Sequence, residues 1–150
     1  MDLGVVGLVV DETVTGRAVP AGFDRGAAFG VARGLALVEV ISLAEKGGTD
    51  RETFLAYLNG TVISSDWIRK RTDDLVRRDW TPTFTTELLR KDFDLGLGAA
   101  RSLEVPMPVG SLVYQLIQSA IAAGAREQDF LSLYEQQARI AALENGSPPP

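Results

Sequence analysis

Apolar positions recur along this chain at two different periods. Residues 3–10 (LGVVGLVV) and 13–19 (TVTGRAV) are short and β-branched, which predicts two strands, or one strand and an extended arm. After the Pro20-Ala21-Gly22 break the period lengthens. Phe29, Val31, Leu35, Leu37, Val38, Val40, Ile41 and Leu43 predict a helix over 25–46, capped by Asp24 and ended by Gly47-Gly48. That helix is apolar nearly all round, so it is expected to be buried on most sides. Gly26, Gly30 and Gly34 are spaced by four and share one face. Each costs about 1 kcal/mol relative to alanine. Close approach of another backbone would offset the cost, and a local helix or a partner subunit would serve.

Thr49 and Glu52 have capping-box spacing and open a short helix to near Leu58. Asn59-Gly60 is a turn. Ser64 or Ser65 caps a third helix ending near Arg78. Pro82-Thr83 leads into a helix over 84–104, which the Val105-Pro106-Met107-Pro108 break ends. Two more helices are expected over 109–123 and 127–143, then an extended or disordered tail at 145–150. The fold class is therefore mainly α. The chain divides into a short β or extended arm (1–22), one helical domain (23–144) and the tail.

In the helix over 84–104, Phe84, Leu88, Leu95 and Ala99 fall within about 60° of one another at 100° per residue. Lys91 falls inside this stripe, about 20° from Phe84. A lysine on a core-facing stripe must snorkel out, pair with an internal carboxylate such as Asp92 or Glu39, or clamp an anionic ligand.

The chain has 150 residues, 45% of them hydrophobic and 23% charged, which is enough for one globular domain. Its net charge is −5 and no basic patch is evident, which argues against nucleic-acid partners. Arg69, Lys70 and Arg71 are answered by Asp73 and Asp74 and read as a solvated helix face. Trp67 and Trp80 read as packing residues. The chain contains no cysteine and no histidine. Disulfides, Cys/His zinc sites and histidine-activated nucleophiles are excluded, and no metal site is expected. No apolar run reaches a membrane span, and the start lacks the basic segment of a secretory signal, so a cytoplasmic location is expected.

Residues 84–130 resemble the C-terminal helical domain of the β-hydroxyacid dehydrogenases, the 3-hydroxyisobutyrate dehydrogenase family. That domain has a 6-phosphogluconate-dehydrogenase-like helical fold. The family's run of a phenylalanine, a Lys-Asp pair, two alanines, two prolines, a glycine and an aspartate maps onto Phe84, Lys91, Asp92, Ala99, Ala100, Pro106, Pro108, Gly124 and Asp129. Residues 38–50 (VEVISLAEKGGTD) are similar to the family's AEALALAEKAGLD. Residues 58–67 (LNGTVISSDW) resemble the loop after that domain's second helix. The resemblance spans roughly residues 30–143. It implies an interlocked homodimer around the long helix. It also implies that Lys91, with Phe84 and Asp92, lies at the nicotinamide end of a bound NAD(P).

Two parts of the family pattern are missing. Gly4 and Gly7 do not make the G-x-G-x-x-G turn, and no βαβ unit follows, so this chain alone is expected to bind no dinucleotide. NAD(P) enters only if a Rossmann-domain partner supplies its site. The family's catalytic lysine and asparagine fall at Phe23 and Ala27, and no Lys or Asn occurs from residue 1 to 45. Asp24 and Asp92 remain as weak catalytic candidates. Three roles follow: a dimerisation or substrate domain of such an oxidoreductase, not transferring hydride alone; a subunit of a split oxidoreductase; or a cofactor-independent isomerase or cyclase that binds a small carboxylate. In the last, Lys91 is an anion clamp and Asp24, Glu39 or Asp92 the acid/base group.

Overall fold

Six helices follow one another with short connections in a computed structural model that describes residues 25–143, with side chains from Gly34 onward. They are α1 (Arg25–Lys46), α2 (Arg51–Asn59), α3 (Asp66–Arg77), α4 (Thr86–Ser102), α5 (Pro108–Ala122) and α6 (Leu133–Ile140), with a 3-10 turn (Phe130–Ser132) leading into α6. The fold is mainly α, and among the described residues the only β feature is one antiparallel bridge, Thr85 with Asp129. The expected strands at 3–10 and 13–19, the Asp24 cap, Phe23, the side chains of Gly26, Ala27 and Gly30, and the tail at 145–150 lie outside the described residues.

Local chemistry sets the ends. α1 stops where Gly48 takes φ +88° and the Thr49 amide reaches back to the Ala44 carbonyl at 2.9 Å. The N-cap of α2 is Asp50 rather than Thr49: its carboxylate accepts from the Thr53 amide at 2.9 Å. Ser65 caps α3, Thr85 caps α4, and Pro108 sits at the first turn of α5, where its missing N–H costs nothing. Gly124, at φ +99°, ends α5.

Ile41, Leu55, Leu75, Leu89 and Ile117 are fully buried, one from each of α1 to α5, and Leu131 and Tyr134 close the core from the chain's far end. α4 packs chiefly on α5, and α1 on α6. From Gly34 onward, α1 has one buried side and one exposed side rather than being buried on most sides. Leu35, Leu37, Val38, Ile41 and Ser42 face inward, while Ala36, Glu39, Val40 and Leu43 face out, Leu43 at 73% exposure. Gly34 meets a ring, not a backbone. A Cβ there would lie 2.9 Å from the Phe130 ring, which stacks on Trp67 at 6.1 Å.

The last expected helix, 127–143, is a correction. Residues 126–129 are instead a turn, a bend and a single bridge position set beside 80–87. The Thr86 and Glu87 amides donate to the Gln128 and Arg126 carbonyls, and the Asp129 and Phe130 amides donate to Trp80 and Phe84. The first two are orphan donors of α4's opening turn, so this pairing completes that helix end.

Asp129 fixes the arrangement. It has no exposed surface. Its Oδ2 accepts from the Thr83 amide and hydroxyl, each at 2.9 Å, and from the Phe84 amide at 3.3 Å. Its Oδ1 accepts from the Leu131 amide and makes a 2.6 Å ion pair with Arg71 Nη2. Arg71 is itself buried, also meeting Asp74 at 3.0 Å and donating to the Thr83 hydroxyl at 3.0 Å. It is therefore not part of a solvated face.

A second network ties α6 to α1 and α2. The Arg51 guanidinium donates to Glu45, to the Leu75 carbonyl and to the Tyr134 hydroxyl, and it lies 4.2 Å from the Tyr134 ring centroid. Tyr134 donates in turn to Glu45 Oε2 at 2.6 Å. Burial, then the Glu45 hydrogen bond, pushes the Tyr134 phenol up to about 12. Burial also pushes the Glu135 carboxyl up, but hydrogen bonds from Arg78 and Trp80 outweigh it and leave it below its ordinary value. Arg78 occupies the left-handed region at φ 55° to end α3, and its pairing with Glu135 offsets that strain.

Two outcomes follow. Replacing Asp129 with alanine leaves Arg71 buried and several donors unmet, so urea unfolding should show a loss of about 3–5 kcal/mol. A loss under about 1 kcal/mol would contradict the role given to this carboxylate. Tyr134 binds its proton more tightly folded than unfolded. Its contribution is fully present below the unfolded pKa near 10 and is lost as pH rises towards 12, by roughly 2 kcal/mol. Melting curves from pH 9 to 12 should show that this excess alkaline loss disappears in Tyr134→Phe.

Candidate functional site

The residues singled out from the sequence gather along the outer side of α4. Phe84, just before the helix, is held by its amide bond to Asp129, and its ring meets Phe130 edge-on at 6.3 Å. Leu88 and Lys91 follow at helical spacing and face out, Leu88 at 44% exposure and the Lys91 side chain at 55%. Leu95 is partly covered. The inward face of α4 is a different set: Thr86, Leu89, Asp92, Phe93 and Ala99. Of the stripe that periodicity assigned to the core, Leu88 and Lys91 are exposed, Phe84 and Leu95 are half-buried with Phe84 packed against the core, and Ala99 is buried. Lys91 does not have to snorkel from a buried position.

Asp92 is the buried member of the Lys-Asp pair, 5% exposed. Neighbours one position apart on a helix point in different directions. Lys91 therefore has to fold back along the surface to bring Nζ to 3.4 Å from Asp92 Oδ1. Among the described residues this is the only ion pair of Asp92. Glu39, the other suggested partner, is exposed on α1 and makes no ion pair with Lys91. Asp24 lies outside the described residues.

The charges beside Lys91 are already engaged. Arg90 donates to Glu87 and, at 2.5 Å, to Asp94, and Arg126 also pairs with Glu87. The Glu87 hydrogen bond holds the Arg90 guanidinium above its ordinary pKa, and the same bond lowers Glu87. The hydrogen bond to Asp94 raises Tyr114. Lys91 is left as a cation on a partly apolar strip, its single ion-pair partner among the described residues, Asp92, facing inward.

Such a strip can meet an anionic group beside an apolar surface. The described residues offer no glycine-rich turn before a helix to cradle phosphates. Among them no three carboxylates converge on a metal position. No described helix is long and apolar enough to cross a membrane. A separate shallow cleft opens between α1, α5 and α6 and does not include Lys91. The pair that sequence reasoning missed is Arg71 with Asp129, which sets the start of α4. Only the family likeness pointed to Asp129, and nothing local distinguished Arg71 from its basic neighbours.

Residues 29–136 match the family model described as "NAD-binding of NADP-dependent 3-hydroxyisobutyrate dehydrogenase". The chain is 26% identical over 98 residues to the cytokine-like nuclear factor N-PAC of Aedes aegypti, covering 65% of this chain and 18% of that protein. It is 38% identical over 80 residues to the 3-sulfolactaldehyde reductase of Escherichia coli, covering 53% of this chain and 25% of that one. Its fold is similar to that of a 3-hydroxyisobutyrate dehydrogenase from Salmonella typhimurium, with a TM-score of 0.69 at 22% identity, covering 74% of this chain and 39% of that structure. The chain therefore spans well under half the length of each.

Lys91→Met separates a surface cation from a structural one. With the lysine more than half exposed, thermal unfolding should show a loss of no more than about 1 kcal/mol. A loss of several kcal/mol would mean that Asp92 depends on Lys91 as a buried partner does.

Proposed function

Because the chain belongs to the NAD-binding family of NADP-dependent 3-hydroxyisobutyrate dehydrogenases, we propose that it is the helical substrate and dimerisation domain of such an oxidoreductase. In this reading residues 23–144 act as one domain that does not transfer hydride alone. A Rossmann-type domain supplies the NAD(P) site, and the strip of Phe84, Leu88, Lys91 and Leu95 is the edge on which that domain and its cofactor settle. When bound, the nicotinamide supplies the hydride chemistry. Lys91 contributes a positive charge against the anionic cofactor or a carboxylate substrate, and Phe84 and Leu88 exclude water beside it. The protein works as a homodimer in the cytoplasm.

The observation that carries this reading is Lys91 itself, a half-exposed cation on an apolar strip whose neighbouring charges are already paired. The lack of any Lys or Asn in residues 1–45 favours a domain role over catalysis by this chain. A second reading rests on Asp92. A buried carboxylate beside an exposed lysine is an arrangement that a cofactor-independent isomerase or cyclase acting on a small carboxylate can use. A split oxidoreductase subunit differs from the first reading only in which chain carries the Rossmann domain.

Calorimetric titration distinguishes them. The chain alone should bind NADH and NADPH no more tightly than about 1 mM, for want of a phosphate cradle. With a dinucleotide-binding domain of the family supplied, binding should appear, and Lys91→Glu should weaken it by about tenfold or more. Micromolar binding by the chain alone, or indifference to Lys91→Glu in the assembled protein, would defeat the first reading.

A further inference from the structure

Gly34 lies inside α1, and its backbone does not call for glycine. It does not take the left-handed conformation of Gly48 and Gly124. A glycine within a helix weakens that helix relative to alanine. What Gly34 supplies is space. A Cβ there would lie 2.9 Å from Phe130 Cε2 and 3.6 Å from both Phe130 Cζ and Trp67 Cη2. The first distance is well inside the optimal separation of two carbons, so rings already fill the room that a side chain would need.

Phe130 is the middle ring of three, and it is buried. On one side it stacks on Trp67, with centroids 6.1 Å apart and planes at 22°. On the other it meets Phe84 edge-on, at 6.3 Å and 81°. Its main chain is held as well. The Phe130 amide donates to the Phe84 carbonyl at 3.1 Å, and the Phe84 amide donates to Asp129 Oδ2 at 3.3 Å. Asp129, the residue before Phe130, is fixed in turn by Arg71 and Thr83. The backbone of Phe130 therefore has little freedom to retreat from α1, and pressure on its ring passes to the neighbouring rings. Trp67 is pressed by the same Cβ. The displacement falls on Phe84, which is half-buried.

Resting on the ligand role proposed for the strip, we infer that Gly34 and Phe130 are positioning residues for that site. The bare helix surface at Gly34 seats the Phe130 ring, and Phe130 sets where the Phe84 ring stands at the head of the strip. Phe84 immediately precedes the Thr85 cap of α4, and Leu88 and Lys91 follow on that helix. The Phe84 ring is thus the apolar end of a surface whose charged end is Lys91. Close-packed rings have few alternative arrangements, so a displacement at α1 is carried along them rather than absorbed.

Nuclear magnetic resonance on the whole chain and calorimetry on the chain supplied with a dinucleotide-binding domain of the family test this separately. In the chain alone, Gly34→Ala should shift the ring signals of Phe130 and Phe84 and lower the melting temperature. Gly98→Ala, inside α4, where a Cβ meets nothing closer than 3.9 Å, should leave those signals in place and melt no lower. Adding Phe130→Leu to Gly34→Ala exchanges volume between the two positions and should recover much of the melting temperature. It also leaves Phe84 without its edge-on partner. In the assembled protein Gly34→Ala should weaken NADPH binding roughly three- to tenfold, and the double variant should stay weak. Phe84 signals that ignore Gly34→Ala would overturn the inference. So would a double variant that regains binding along with stability, since Gly34 would then act through folding alone. Phe130→Leu by itself overpacks nothing and should reproduce the loss of binding; full binding would overturn the inference even if Gly34→Ala does not fold. An assembled wild type that binds no NADPH would defeat the proposed function instead, and the Phe84 signals of the chain alone would still decide whether α1 sets this ring.

Discussion

One buried carboxylate governs how this helical chain is put together. A charged group taken wholly out of water costs several kcal/mol unless its partners are close and numerous. Asp129 meets that demand only by gathering donors from two distant stretches, Arg71 from α3 and Thr83 and Phe84 from the segment before α4, and from Leu131 in its own 3-10 turn. Each partner must be present at once for the charge to be tolerated, so the contacts specify geometry more than they add stability. The start of α4 is consequently set by a contact nearly fifty residues away in sequence, at Thr83 and Phe84.

The orientation of α4 follows from that anchor. With Phe84 held by Asp129, and the first amides of α4 given to Gln128 and Arg126, the helix turns Leu89 and Phe93 into the core. The same rotation leaves Leu88 and Lys91 outside and Asp92 inside. A lysine and an aspartate adjacent in sequence thus end in different dielectric surroundings. Solvent surrounds one and packed helix the other, and only a 3.4 Å contact joins them. The chemistry available at the strip is set by this division, because the lysine keeps its charge at the surface without giving up contact with the interior.

Much of the helical layout was legible in the sequence because it is written in local signals. Ser65 and Pro108 begin helices, and Gly48 and Gly124 end them, through local signals, although the caps of α2 and α4 fall at Asp50 and Thr85, one or two residues from the expected starts. What could not be read depended on distant contacts. Residues 127–132 have the composition of a helix start, but the backbone groups of Gln128, Asp129 and Phe130 are used by residues 80–86, and a 3-10 turn intervenes, so α6 begins only at Leu133. Arg71 sits in a basic run balanced by acids, and only Asp129 distinguishes it from Arg69 and Lys70. The period of α4 was real, but the helix carries two apolar stripes. Hydropathy could not rank Phe84, Leu88 and Leu95 below Leu89 and Phe93. Periodicity alone made the stripe core, whereas the likeness to a known helical domain implied a ligand-contacting role for Phe84, Lys91 and Asp92.

Two apolar faces on so small a domain have a common physical source. A chain of 150 residues has a high ratio of surface to volume, and a core of one helix layer against another cannot cover every apolar side chain that its helices carry. A free-standing protein of this size would be expected to place polar residues at Leu43, Leu112 and Ile140, since each is more than half exposed and none contributes to the core. It would equally have no use for an apolar strip around Lys91. Retaining apolar residues at both places costs solubility and gains no internal packing. Covering a surface in an assembly offsets that cost, and on the reading proposed above a cofactor-bearing domain covers the α4 strip, with which the face of α1, α5 and α6 shares no residue.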